Sequence, residues 1–227
     1  MGPMTRSPRD AALVMNVIAD ALPPAAISTL EGLRAGVPTN FFRERLAPEV
    51  ALAYDRALTR LESAGAILTP ITVPDPAEIN LIGRVILLSE VSALMAPYRD
   101  RRADFGADVQ ALIDQGRLLS ATDYVNAQRL RHRCQVEWNR LWDGVDVIFT
   151  PTAPIVAPLI GQTEVEWGAD GTKEDVRLAT TRFVRSINVL GLTAVSIPLP
   201  SNGLPVGLQI IGKSLHDGDV LAVAALL

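Results

Sequence analysis

Apolar residues recur at helical spacing along several stretches of the chain. Ser7-Pro8-Arg9-Asp10 sets an N-cap serine, a proline at the first helical position and an acid at the third. Ala11, Ala12, Val14, Met15 and Ile18 follow. The pattern predicts a helix from about Pro8 to Ala21, stopped by Pro23-Pro24. A second helix is expected from Pro48 to about Ala64, with Val50, Tyr54, Ala57, Leu58 and Leu61 on one face and Gly65 as its terminator. On either side of it, Leu33 to Pro38 and Ala66 to Val73 are short and apolar enough to be buried strands. Strand, helix and strand with short links form a βαβ unit, which implies parallel pairing and a right-handed crossover.

The middle of the chain has a helical pattern throughout. Asp75 to Ala96 predicts one long helix broken by Pro97, and Phe105 to Gln115 another, ended by Gly116. Ser120-Ala121-Thr122-Asp123 is the acid variant of a capping box and opens a helix to about Trp142. Val145 to Phe149 reads as a buried strand running into Thr150-Pro151-Thr152-Ala153-Pro154. The stretch from Gln162 to Glu174 shows little periodicity and is expected to be surface loop. Arg177 to Val189 predicts a helix closed by Gly191. Ala194 to Ile197 and Val206 to Ile211 predict two strands joined by a turn containing Asn202-Gly203, and a last helix begins near Leu215. Alternating strands and helices with one late hairpin give an α/β fold, a mixed β-sheet flanked by helices, over residues 1–227.

Composition narrows the functional classes. Of 227 residues, 48% are hydrophobic and 20% charged, which suits a globular domain with a substantial core. The net charge of -4 argues against a nucleic-acid partner, since phosphate binding needs a basic surface. Arg129, Arg131, Arg133 and Arg140 are spread around their helix, as expected of a solvated surface with ion pairs. No apolar run reaches the ~18 residues of a membrane span. Arg6 and Arg9 precede an apolar stretch in the manner of a signal peptide, but Asp10, Asn16 and Asp20 interrupt it at helical spacing, which favours an amphipathic helix. Cys134 is the only cysteine, so no intrachain disulfide forms; a cytoplasmic setting and a small buried thiol are expected.

Three motifs say more than fold class. They are Gly2-Pro3-Met4-Thr5-Arg6-Ser7 followed by Asp10-Ala11-Ala12; Asp146-Val147-Ile148-Phe149-Thr150-Pro151-Thr152-Ala153-Pro154; and Asn188 to Pro198 followed by Gly203 to Gly212. Together, and in their spacing, they resemble the amidase-signature family over essentially the whole chain. Each also has a structural role available: Gly191 as a left-handed helix end, Gly203 in a turn, and Gly207 and Gly212 as points of close backbone approach.

The resemblance implies a partial amidase-signature α/β/α sandwich and hydrolysis of a carbon–nitrogen amide bond in a small-molecule substrate. It implies a serine nucleophile, a second serine on a cis peptide bond, a buried lysine, and a glycine- and serine-rich loop whose N–H groups hold the oxyanion. A serine hydroxyl needs such a base to act as a nucleophile at neutral pH. In the family these parts precede the Gly-Pro-Met segment, so the chain is expected to be a C-terminal half without the catalytic residues. Ser186, Ser196, Ser201 and Ser214 stand singly, and the only lysines are Lys173 and Lys213. A triad from His216 and Asp217 lacks a Gly-x-Ser-x-Gly elbow, and His132, His216 and Cys134 are too scattered to hold zinc. No cofactor is expected.

By the same resemblance, the loop from Thr150 to Pro154 and the helix from Thr180 to Asn188 border the acyl side of the pocket. Thr152, Thr181, Arg185 and Asn188 are then the candidate substrate-binding residues. The alternative is that Asn188 caps or bridges backbone and that Arg185 forms a surface ion pair. Two functional readings stand: part of an amidase inactive alone, or a non-catalytic piece that completes an enzyme with a separate N-terminal half or as a homo-oligomer.

Overall fold

The computed structural model describes every residue except Met1, Ala21, Ala169, Asp170 and Asn202. Its centre is a sheet of β1 (Arg34–Pro38), β2 (Ile67–Ile71), β3 (Val147–Pro151), β6 (Thr193–Leu199) and β7 (Val206–Gly212). The order is β2-β1-β3-β7-β6; β2, β1 and β3 run parallel, while β7 is antiparallel to both β3 and β6. The helix between β1 and β2 is α2 (Pro48–Ser63), and its expected face, Val50, Tyr54, Ala57, Leu58 and Leu61, is buried. Gly65 ends it at φ +91°, a conformation that costs glycine little.

Side chains alternate across the strands and separate two cores. Val147, Phe149, Leu208 and Ile210 face one layer with α2 and α8 (Asp217–Leu226). Ile148 and Ile211 face the other, with Trp138, Phe183, Ile187 and Leu190. This second layer comprises α3 (Pro76–Leu94), α5 (Ala121–Asn139) and α7 (Arg182–Leu190). The result is the α/β/α arrangement expected. Cys134 is buried in the second core.

Several boundaries differ from the sequence pattern. The first helix, α1 (Pro8–Ile18), ends before Ala21, because Ala19 is extended; Ala21 itself is outside the described residues. Its cap is as expected: Ser7 Oγ accepts from Asp10 N at 3.2 Å. Pro97 breaks the long helix into α3 and a 3₁₀ segment, Ala96–Asp104, followed by α4 (Ala107–Gly116). The capping box at Ser120 and Asp123 is complete, and α5 tightens into a 3₁₀ turn at Arg140–Asp143.

Two expectations fail outright. The stretch read as loop holds a hairpin, β4 (Glu164–Trp167) and β5 (Thr172–Asp175), with Gly168 and Gly171 at positive φ between them. Glu164-Val165-Glu166-Trp167 alternates outward and inward, burying Val165 and Trp167, a period-2 signal too short to stand out. The helix from Arg177 is two helices, α6 (Val176–Thr180) and α7, because Thr181 leaves helical geometry at φ −100°, ψ 3°. Gly191 then closes α7 at φ +70°. The turn at Asn202-Gly203 includes a residue outside the described ones.

The arginines of α5 are more than surface charge. Arg133 pairs with Glu78 at 2.8 Å. Arg131, however, is part-buried and donates from Nε to the carbonyl of Val189, while Gln135 donates to Leu190 O at 2.8 Å. Both satisfy carbonyls orphaned at the end of α7, where a cation also meets the negative pole of the helix. No single described helix is long and apolar enough to cross a membrane.

Candidate functional site

A row of polar residues crosses the sheet on the face covered by α7. Thr150 and Gln209 are buried, and Gln209 Nε2 donates to Thr150 Oγ1 at 2.9 Å and to Phe183 O at 3.5 Å. Two residues along each strand, Thr152 follows Thr150 and Gly207 precedes Gln209. Thr152 Oγ1 meets Ser196 Oγ of β6 at 2.6 Å, over the strand that holds Gly207. A Cβ at Gly207 would fall 2.6 Å from the threonine hydroxyl and 2.8 Å from the serine hydroxyl. The glycine therefore makes the space in which the two hydroxyls meet.

Thr181, Arg185 and Asn188 follow one another at helical spacing on the open side of α7. Thr181 Oγ1 donates to Arg177 O at 2.7 Å, and Arg185 donates to Leu178 O at 3.1 Å and to Thr181 O at 3.4 Å. Arg185 is thus neither a surface ion pair nor free: it closes the carbonyls left at the end of α6. Burial lowers its pKa from the ordinary guanidinium value, opposed by the nearby charge of Glu174 and reinforced by Arg84 and Arg182. Asn188 is exposed, and its main-chain carbonyl accepts from Gly191 N at 3.1 Å. Thr181 and Arg185 are brought together by the fold, with Asn188 on the same side; Thr152 belongs to the separate hydroxyl pair on the sheet.

Sequence reasoning does not pick out Ser196, Ser186 or Gln209 as site residues. Gln209 carries a signal, a polar residue inside the apolar run Val206 to Ile211. Ser186 is fully buried with no hydrogen-bond partner for its hydroxyl. Ser196 has no local signal, since its partner lies in another strand.

The sequence's other candidates have structural roles. His216 Nδ1 pairs with Asp219 Oδ2 at 3.0 Å, not with Asp217, and Asp219 Oδ1 accepts the N–H groups of Ala26 and Ile27. That carboxylate ties the approach to β1 onto α8. Lys173 is paired with Glu164 at 3.0 Å on the exposed hairpin, and Lys213 is exposed. Among the described residues, no group of three or more histidines, cysteines and acids could hold a metal ion.

A groove of about 830 Å³ runs beside the hydroxyl pair. Its walls are the segment from Gly2 to Ala19 on one side and Gly191 to Pro198 on the other. Among the described residues β6 pairs only with β7, so its other edge opens onto this groove.

Known proteins share these features. The family model described as Amidase matches residues 1–221. An amidase of Pseudomonas putida is 36% identical over 212 residues, covering 87% of this chain and 45% of the relative. A 2-amino-5-chloromuconic acid deaminase of Comamonas testosteroni is 30% identical over 236 residues, covering 98% of this chain and 49% of the relative. A crystal structure of an amidase superposes with a TM-score of 0.89 at 27% identity, covering 99% of this chain and 51% of that one. The chain thus spans about half the length of the relatives it matches.

Proposed function

Because the chain belongs to the amidase family, we propose that it supplies the substrate-side wall of an enzyme hydrolysing a carbon–nitrogen amide bond, with the serine–serine–lysine relay furnished by residues outside this sequence. The placement of the two lysines carries this reading. Lys173 is held at an exposed ion pair and its pKa is raised by its hydrogen bond to Glu164, so it stays protonated at neutral pH. Lys213 is exposed as well. A general base must reach its nucleophile and be partly unprotonated near neutral pH. Neither lysine meets that requirement.

In this reading residues 1–227 form one incomplete catalytic domain. Thr152, paired with Ser196, offers hydroxyls that can accept from or donate to a bound amide, and Arg185 and Asn188 present donors from the open side of α7. The proposed setting is cytoplasmic and the substrate a small amide. The test is an assay of the purified chain against simple aliphatic and aromatic amides, following release of ammonia or amine. The expected result is no turnover above the blank; turnover well above it overturns the proposal.

A second reading, that the chain completes an enzyme by docking on a separate N-terminal half, is favoured by the open edge of β6 beside its groove. Unpaired strand edges and adjoining apolar surface promote association. Light scattering with equilibrium unfolding tests it. A monomer that unfolds cooperatively by itself counts against it.

A further inference from the structure

A second cavity, of about 420 Å³, lies outside the carboxyl ends of β1 and β2, the location in open α/β sheets where small ligands bind. Asn40, Glu44 and Arg45 reach it from the loop after β1, Asp75 from the loop after β2, and Arg182 from the first turn of α7. The two loops are locked to each other: Asn40 Nδ2 donates to Val73 O, and Val73 N donates back to Asn40 Oδ1, both at 3.0 Å. Phe41 and Arg45 both take positive φ, 51° each. Left-handed conformations at non-glycine residues are costly and gather at ligand clamps.

The charges in this cavity are unevenly matched. The side chain of Arg182 is only 10% exposed. Its guanidinium stacks on Phe41 at 5.0 Å and approaches Glu44 at 3.7 Å and Glu174 at 4.0 Å. Those separations exceed hydrogen-bonding distance, and Nη1, shut off from solvent, has no hydrogen-bond partner. The acids, by contrast, are each occupied. Glu44 Oε1 accepts from Phe41 N at 2.9 Å, Glu174 Oε2 from Trp167 Nε1 at 2.8 Å, and Asp75 Oδ1 from Ala77 N at 2.8 Å. Buried guanidinium donors left without acceptors are expensive, so they call for a ligand oxygen. Two arginines face three acids here, so a simple anion would meet net repulsion. A ligand carrying both signs would not.

The geometry points to a binding site for a small zwitterion of the α-amino-acid type, its carboxylate on the pocket side of Arg182 and Arg45 and its ammonium toward Glu44 and Asp75. A planar carboxylate matches the guanidinium fork. The cavity admits a molecule of this size with room for a side chain.

Isothermal titration of the whole chain with L-alanine, at fixed ionic strength in chloride, tests this. Saturable binding is expected, with acetate and methylamine each at least tenfold weaker. Arg182→Met should weaken alanine binding at least tenfold. Arg45→Asn, at a half-exposed side chain where asparagine tolerates positive φ, should weaken it without endangering the fold, and carries the comparison if Arg182→Met does not fold. Absence of saturable alanine binding, acetate binding as tightly as alanine, or unchanged affinity in the variants would each overturn the assignment.

Discussion

Thr152 Oγ1 and Ser196 Oγ lie 2.6 Å apart over the strand that carries Gly207. The pair exists because no side chain occupies position 207. Gly207→Ala places a methyl 2.6 and 2.8 Å from the two oxygens, and β7 is held on both sides by its neighbours. The substitution should cost about 1–3 kcal/mol, the usual range for overpacking. Urea unfolding measures it. Adding Ser196→Ala should return part of the loss; no recovery would show that the clash lies elsewhere.

Asp146 ties the start of β3 to β1. Arg34 donates to its carboxylate from Nε at 3.1 Å and from the main-chain N at 3.0 Å. The Arg34 side chain, and then its main-chain N–H, hold the Asp146 pKa below the ordinary carboxylate value, against the opposing effect of burial. A carboxyl whose folded pKa is depressed contributes stability above its unfolded pKa, about 3.9, and loses that contribution as pH falls through the folded value. The thermal midpoint should therefore drop as pH is taken below about 4, and Asp146→Asn should flatten that part of the profile. An unchanged slope in the variant would rule this ion pair out as the cause.

Gly116 ends α4 against α3. A Cβ there would lie 2.0 Å from Leu88 O, a backbone atom that cannot rotate away. Gly116→Ala should destabilise by about 3 kcal/mol, the upper end of the overpacking range, whereas Ala107→Ser on the same helix should be nearly neutral. Paired denaturant midpoints decide between them.

The capping box of α5 gives a smaller effect. Ser120 Oγ accepts from Asp123 N at 3.1 Å, and Asp123 Oδ2 accepts from Ser120 N at 2.9 Å. Ser120→Ala should cost about 1 kcal/mol. Ser120→Gly should cost only a few tenths, since glycine is itself an acceptable cap. Equal losses for the two would mean that the hydroxyl is not what caps the helix.

Local patterns make most of the layering legible. The buried stripe of α2, the parallel β1 and β2, the Ser120 cap and the left-handed Gly191 all rest on residues within a few positions of one another. What stays hidden depends on distance or on very short signals. Ser196 meets Thr152 only through the register of β6 on β7 and β7 on β3, which nothing near either residue encodes. The four-residue strands β4 and β5 are too brief for their period to emerge. Thr181 breaks a helix with no proline or glycine to mark it. Arg185 is a candidate by resemblance, but its donors point to the carbonyls of Leu178 and Thr181 because α6 ends there.

Pro198, near the end of β6, brings no amide hydrogen to the open side of the sheet. An arriving polypeptide can therefore be stitched on only along Thr193 to Ile197, a docking strip of five residues. So short a seam limits indiscriminate stacking of one molecule on the next, and leaves correct pairing to be decided by whatever else fills the groove alongside.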